Sequence, residues 1–299
     1  MSRVEWESRF QSWSNGPGKT ESERCDNAER IVKQCLVDAG ILDKYQLEVF
    51  TQGSFANRTN IPQESDVDIC VRSKAAFFGQ YPEGLTKEDF GFSAASFTYA
   101  ALKNDVERAL RARFGGEMKR GDKCFSLRAN TYRVDADVAA TLEHRRYHSP
   151  QNRALYYSGS EFVTDAGKQI INWPKQHIAN GISKHDATKQ RFKKIVRILK
   201  RLQFDLIDSG VLTAKLIPSY AVECCVFNMT NGSLTADGNY YDAVRRVLAL
   251  VYQATADEPS CDKWVEVNEL KWLLRQGQPW KREDVRGFAL QGYKYVGYS

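Results

Sequence analysis

A chain of 299 residues with 42% hydrophobic and 27% charged side chains can bury a full core and reads as an ordinary globular protein, arranged as one large domain or two lobes. Its 43 Lys and Arg against 37 Asp and Glu leave a net charge of +6, too mild to mark a nucleic-acid-coating protein but suited to one basic, anion-binding cleft. No segment nears the roughly 18 apolar residues of a membrane span, MSRVEWESRFQSW has no signal-like apolar run, and the cysteines contain no CxxC pair, so reduced thiols and a cytoplasmic location are expected.

In chain order, Val4 to Trp13 is a short amphipathic stretch broken by SNGPGKT. NGPGKT resembles the end of a phosphate-binding loop, but the glycine that pattern needs five residues before Gly18 is replaced by Trp13. Thr20 and Glu23 form a capping-box pattern ahead of CDNAERIVKQCLVDAG, a helix ended by Gly40. QLEVF (Gln46–Phe50) is a strand leading into Gly53-Ser54, and DVDICVR is a second strand. Ser96–Gly115 has helical periodicity, and EMKRGDKCFSLRANTYRVDADVAA reads as β-structure with turns at RGD and RAN. Residues 143–182 are expected to be a loop-rich joint.

From Ser183 the character changes. SKHDATKQRFKKIVRILKRLQFDLIDSG reads as one long helix with Asp186 as N-cap, Gly210 past its end and an apolar stripe of Phe192, Ile195, Leu199 and Leu202. Further helices fit SYAVECCVFNM, YDAVRRVLALVYQAT, DKWVEVNELKWLLR and KREDVRGFALQGYKYV. The expected organisation is a mixed α/β part over 1–150 and a helical part over 151–299.

The informative stretch is TQGSFANRTNIPQESDVDICV, Thr51 to Val71. Residues two apart on a strand face the same way, so Asp66 and Asp68 crowd each other and call for a cation between them. Gly53 lets backbone approach a polyphosphate, and Ser54 adds a hydroxyl donor at a helix start. Paired aspartates supply hard oxygen ligands for magnesium. Two such ions about 3.5–4 Å apart activate an attacking hydroxyl and stabilise a departing pyrophosphate. A third carboxylate is needed from a neighbouring strand, and YRVDADVAATLE offers both Asp135 and Asp137.

Together Gly53-Ser54, Asp66-Val67-Asp68 and Asp137-Val138 resemble the polymerase-beta nucleotidyltransferase superfamily. Within it the chain is most similar to the cGAS/DncV-like nucleotidyltransferases of bacterial anti-phage (CBASS) systems. The resemblance implies an α/β (α+β) fold, a polymerase-beta-like core with a mixed sheet plus an oligoadenylate-synthase-like helical lobe. In the family the third acid precedes an apolar run, a small residue or proline and then an acid. DVAATLE matches with Asp137 first, although Ala140 stands at the usual proline. By this resemblance Asp66, Asp68 and Asp137 are the catalytic and metal-holding residues, with two Mg2+ ions for which Mn2+ can substitute. Relatives also place a Lys on a long helix and a Ser-Tyr pair at the next. Lys200, Ser219 and Tyr220 therefore join Gln52, Gly53 and Ser54 in holding the donor nucleotide. Lys193 and Arg197 share the Lys200 stripe, where a solvated basic face is the plainer reading.

The resemblance implies joining of ATP or other NTPs into a cyclic di- or trinucleotide. A linear oligoadenylate or RNA-tailing transferase and a catalytically dead nucleotide-binding scaffold are the alternatives. No membrane and no obligatory nucleic acid are expected as partners. CBASS accessory proteins are, including machinery that conjugates a C-terminal tail such as GYKYVGYS. Arg145-Arg146 fit a phosphate contact or an exposed turn equally, Trp173 reads as a packing residue, and His144, His148, His177 and His185 read as surface residues.

Overall fold

The computed structural model describes residues 1–62, 66–149, 152–213, 216–275 and 277–298. In chain order the elements are α1 (Arg3–Trp13), α2 (Lys19–Asp38), α3 (Ile41–Lys44), β1 (Leu47–Gln52), α4 (Gly53–Ala56), β2 (Val67–Gln80), α5 (Tyr99–Phe114), β3 (Met118–Arg120), β4 (Phe125–Leu127) and β5 (Ala136–Tyr147). They continue with β6 (Tyr156–Val163), β7 (Gln169–Asn172), α6 (Pro174–Ala187), α7 (Phe192–Asp208), α8 (Ser219–Phe227), α9 (Asn231–Thr235), α10 (Tyr240–Ala254) and α11 (Arg282–Val296). Two compact units result, one from residues 18–55 and 65–175 and one from 1–17, 56–64 and 176–299. The single boundary expected at residue 150 is therefore replaced by two interleaved sets of segments.

The first unit is built on a mixed sheet in the order β1-β2-β5-β4-β3, with β6 paired to β5 and β7 to β6. Only the β2–β5 pair is parallel among these pairings. A parallel neighbour needs a crossover, and α5 lies in the connection from β2 to β5. Its apolar residues Leu102, Val106, Leu110 and Phe114 recur at helical spacing and share one core with Val32 and Leu36 of α2 and with Ile69, Val71, Val138 and Ala140 of the sheet.

Residues 143–182 are not a loop-rich joint. β5 runs on through Tyr147, β6 and β7 extend the sheet antiparallel, and α6 begins at Pro174. These strands bury polar residues, which hides them from a hydrophobic pattern. The Glu161 carboxylate takes the His144 imidazole at 2.5 Å, and Glu143 takes Arg145 and the Ser158 hydroxyl, each at 2.7 Å. Trp173 is buried against the His144 edge, the packing role expected of it. The capping box proposed at Thr20 and Glu23 is also corrected: the N-cap of α2 is Gly18, two residues earlier, and no side chain caps it.

The second unit is helical. Phe192, Ile195, Leu199 and Leu202 of α7 are buried in one cluster with α8, with Val244, Val247 and Val251 of α10, and with Val285 and Phe288 of α11. Trp6, Phe10 and Trp13 of α1 complete it. The stretch 183–210 is two helices rather than one. Lys189 and Gln190 adopt φ of +51° and +63° between α6 and α7. Asp186 sits in the last turn of α6, where its carboxylate accepts the Gln190 amide at 2.6 Å instead of capping a helix start. Thr188 Oγ1 does that work, accepting from the Phe192 N–H at 3.1 Å.

DKWVEVNELKWLLR forms no helix among the described residues; it folds back on itself through a Val265–Trp272 bridge and a turn at Glu269, φ +58°. The chain end is packed up to Tyr298, whose hydroxyl donates to the Tyr241 carbonyl at 2.8 Å. Ser299, the residue through which a tail would be conjugated, lies outside the described residues. All seven cysteines are free and six are buried. No helix among the described residues is long and apolar enough to cross a membrane.

Candidate active site

Strand register places the carboxylates. In the antiparallel β1–β2 pair Gln52 lies opposite Asp68, and in the parallel β2–β5 pair Asp68 is level with Asp137. Asp66 stands one residue before β2, whose start is fixed by the Val67 N–H donating to the Asp135 carbonyl at 3.0 Å. Asp66 and Asp68 are exposed and Asp137 is half-buried. The crowding of acids on this strand face thus extends to a third acid beside them. The field they create is felt nearby. Burial pushes the Cys124 thiol up to about 11, and the charges of Asp137 and Asp68 push the same way.

The structure separates the two acids of YRVDADVAATLE. Asp135 Oδ1 accepts the Ala129 N–H at 2.6 Å and so ties down the loop before β5. Asp137 takes a 2.7 Å bond from the Ser126 hydroxyl, its register partner on β4. Ser126 was not foreseen; only the pairing of a three-residue strand puts it there.

Gly53 is required twice over. Its φ of +69° belongs to the left-handed region that side chains disfavour, and a Cβ there would overlap Asp68 Oδ2. The turn of α4 is thus folded directly onto the Asp68 carboxylate. Gly53→Ala is expected to displace Asp68 and cut turnover about a hundredfold, with a stability cost of about 1–3 kcal/mol; steady-state rates and melting curves check it.

These donors suit magnesium. Three aspartates offer hard oxygens, while among the described residues no three His, Cys, Asp or Glu side chains form a ready-made metal cage. Carboxylate oxygens are the donor type that Mg2+ takes, with substrate phosphates and water in the rest of its shell.

The remaining predicted residues lie in the helical unit. Lys200 on α7 is 1% exposed, with its ammonium 3.7 Å from Glu223 Oε2. Ser219 is the first residue of α8 and is half-buried. Tyr220 is fixed in place: its hydroxyl donates to Glu266 Oε2 at 2.8 Å, and its ring stacks on His177 with centroids 5.6 Å apart.

Glu223 is the hub that sequence reasoning missed. It is 2% exposed and accepts from Thr59 Oγ1 at 2.7 Å and from Asn57, with His177 Nε2 3.0 Å away. Burial alone would raise its carboxyl, but His177 and Lys200 hold it down to about 2. The signal was present as a lone acid inside the apolar run VECCVF, since an acid buried there must be paired. His177 and His144, expected on the surface, are both buried; His148 is exposed and His185 half-buried.

Comparison with known proteins identifies the family. The model of the cGAS/DncV-like nucleotidyltransferase C-terminal helical domain matches residues 179–297. The chain is 38% identical to the cyclic dipyrimidine nucleotide synthase CdnE of Cecembia lonarensis, over 98% of each sequence. Among solved structures it is similar to the Elizabethkingia meningoseptica CdnE cyclic dinucleotide synthase with GTP and Apcpp (TM-score 0.79, 32% identity, covering 98% of this chain and 99% of that one). It is also similar to the Rhodothermus marinus CdnE c-UMP-AMP synthase with Apcpp and Upnpp (TM-score 0.83, 27% identity, covering 98% and 97%). The sheet and helices above are thus those of a polymerase-beta-like nucleotidyltransferase. The chain belongs to the cGAS/DncV-like nucleotidyltransferases, and relatives similar to it over nearly its whole length are named cyclic nucleotide synthases.

Proposed function

We propose that this enzyme joins NTPs into a cyclic di- or trinucleotide second messenger, with release of pyrophosphate, in bacterial anti-phage defence. The observation that carries the reading is the fixed register of Asp68 with Asp137 under the Gly53 turn. Relatives of full-length similarity are named as cyclic nucleotide synthases, and solved relatives hold GTP, Apcpp and Upnpp, which supports nucleotide triphosphates as substrates here.

In this reading Asp66, Asp68 and Asp137 hold two Mg2+ ions, which supply charge neutralisation for the phosphates and for a developing alkoxide. Gly53, free of a side chain, lets the backbone meet the donor triphosphate, and Ser54 and Ser219 donate hydroxyl hydrogen bonds to it. Gln52 flanks Asp68 on β1. Lys200 supplies positive charge, balanced by Glu223 until phosphate arrives. Tyr220 lies against the donor base, its ring already held by His177 and Glu266. Asp137, oriented by Ser126, helps take the proton from the acceptor ribose hydroxyl. That oxygen attacks the donor α-phosphate and pyrophosphate leaves; a second transfer within the linear product closes the ring. Positioning and electrostatics carry most of the rate.

Incubation with all four labelled NTPs and Mg2+, then phosphatase treatment and mass spectrometry, tests this. A phosphatase-resistant, low-mass product is expected, and its mass names the bases and ring size. A ladder of phosphatase-sensitive lengths would replace the reading with a linear transferase.

A further inference from the structure

The cations of α7 are unevenly provided with partners. Lys200 has Glu223. Arg197 is 7% exposed, and its guanidinium donates to the Ser14 carbonyl at 2.8 and 2.5 Å and to the Arg58 carbonyl at 2.5 Å. Those three bonds go to neutral carbonyl oxygens, and among the described residues no carboxylate pairs with its guanidinium. Lys193 is 5% exposed, and among the described residues its ammonium makes no hydrogen bond or ion pair. The charges that act on it are Glu223 and Asp186 on one side and Arg58 and Arg197 on the other, while burial disfavours its charged form. Among the described residues Lys200 is thus ion-paired with a buried carboxylate, whereas Lys193 and Arg197 make no ion pair.

The position is unfavourable for a second reason. Lys193 and Lys194 stand in the first turn of a 17-residue helix that has no acid there, so their charges meet the positive end of the macrodipole. Structural lysines avoid such places. The first amides of the helix are already used, by Thr188 Oγ1 and, at 3.2 Å, by His185 Nδ1, which accepts from the Lys193 N–H. Burial, Lys193 and Arg197 hold His185 neutral down to about 4, so it remains an acceptor. An anion here is therefore met by side chains, not by backbone amides.

We propose that Lys193 is a second polyphosphate-binding residue of this enzyme, which completes its pairing only with a nucleotide triphosphate, while Lys200 is held ready by Glu223. This deepens the reading above by assigning a further contact to the same substrate class. The required chemistry is two or more linked phosphates, which are the compact multivalent anion that can balance the surplus of Lys193 and Arg197.

The test is calorimetric binding of inorganic tripolyphosphate to the whole protein and to Lys193→Met and Lys193→Arg, with melting curves with and without tripolyphosphate. Lys193→Met is expected to bind roughly ten- to a hundredfold more weakly, as for loss of a charge-assisted hydrogen bond, and Lys193→Arg to bind within about threefold of wild type. Without phosphate Lys193→Met melts no lower than wild type, since an unpaired buried charge has been removed. Unchanged tripolyphosphate affinity in Lys193→Met, or a lowered melting point with the affinity intact, overturns the proposal and makes Lys193 a structural residue. If Lys193→Met misfolds, Lys193→Gln, similar in length and neutral, gives the same reading.

The polyphosphate has two sources, the donor and the acceptor nucleotide. A cycle of Lys193→Met and Asp68→Asn, read by Mg2+-dependent binding of a nucleotide with a methylene between the α- and β-phosphates, tells them apart. Strong non-additivity names the donor and additivity the acceptor. No turnover is measured, so failure to find a cyclic product would remove the proposed reaction while leaving the Lys193 result standing.

Discussion

Replacing Asp68 by asparagine abolishes product formation, by at least about a thousandfold, and leaves the protein folded. The loss is that of a charge aimed at the reacting phosphates, a contribution of the size seen when electrostatic groups are removed from other active sites. Stability moves the other way. Asp68 is exposed, level with Asp137 and two residues from Asp66, so neutralising it relieves repulsion in metal-free buffer. The variant is expected to melt at or slightly above the wild-type temperature without Mg2+ and to lose any melting shift that Mg2+ with nucleotide confers. Normal turnover in Mg2+ would sink the catalytic assignment; a large drop in melting temperature would make Asp68 a structural residue instead.

Glu223→Gln has the opposite signature. The wild-type carboxylate is buried with His177, Thr59 and Asn57 around it and Lys200 beyond. Taking its charge away removes the buried ion pair with the 1%-exposed Lys200, a loss of about 3–5 kcal/mol in comparable cases. Urea unfolding measures it. Lys200→Met added to the same chain is expected to recover much of the stability but not the affinity for triphosphate.

The pH dependence has a definite sign. The carboxyl is held at about 2 against an ordinary 4.5, so its contribution is fully present above pH 4.5 and drains away as the pH falls towards 2. The stability gap between wild type and Glu223→Gln should close over that interval. A gap that stays constant from pH 7 to 3 would remove the ion-pair explanation.

How much of this was legible beforehand depended on what kind of signal each residue carried. Gly53-Ser54 and Asp66-Val67-Asp68 stood out in the sequence because they form a short-range pattern, whereas Asp137 lies far along the chain and was singled out from Asp135 only through the family resemblance. Strands β1 and β5 and helices α7, α8, α10 and α11 were readable because apolar residues repeat at fixed periods. The 143–182 stretch failed for the converse reason: Glu143, His144 and Glu161 are polar yet buried, each satisfied by a partner. DKWVEVNELKWLLR carries helical periodicity, yet Glu266 bonds Tyr220, Asn268 and Gln278, and those bonds favour a folded-back loop. The roles of Ser126 and Glu266 are set by contacts across the sequence that no local pattern could announce, whereas Glu223 left a trace as a lone acid in an apolar run.

The interleaving of segments has a consequence for how the protein is made. Neither compact unit is a continuous stretch, since 1–17 and 56–64 belong with 176–299. As the chain leaves the ribosome, Trp6, Phe10 and Trp13 emerge early and find their apolar partners on α7 only after another 175 or so residues of synthesis. The buried polar groups of Asn57 and Thr59 likewise wait, 166 and 164 residues, for Glu223. Until then the nascent enzyme carries exposed aromatic surface and unmet hydrogen bonds. The sheet segments, 18–55 and 65–175, are therefore all synthesised before the segment 176–299 that completes the helical unit.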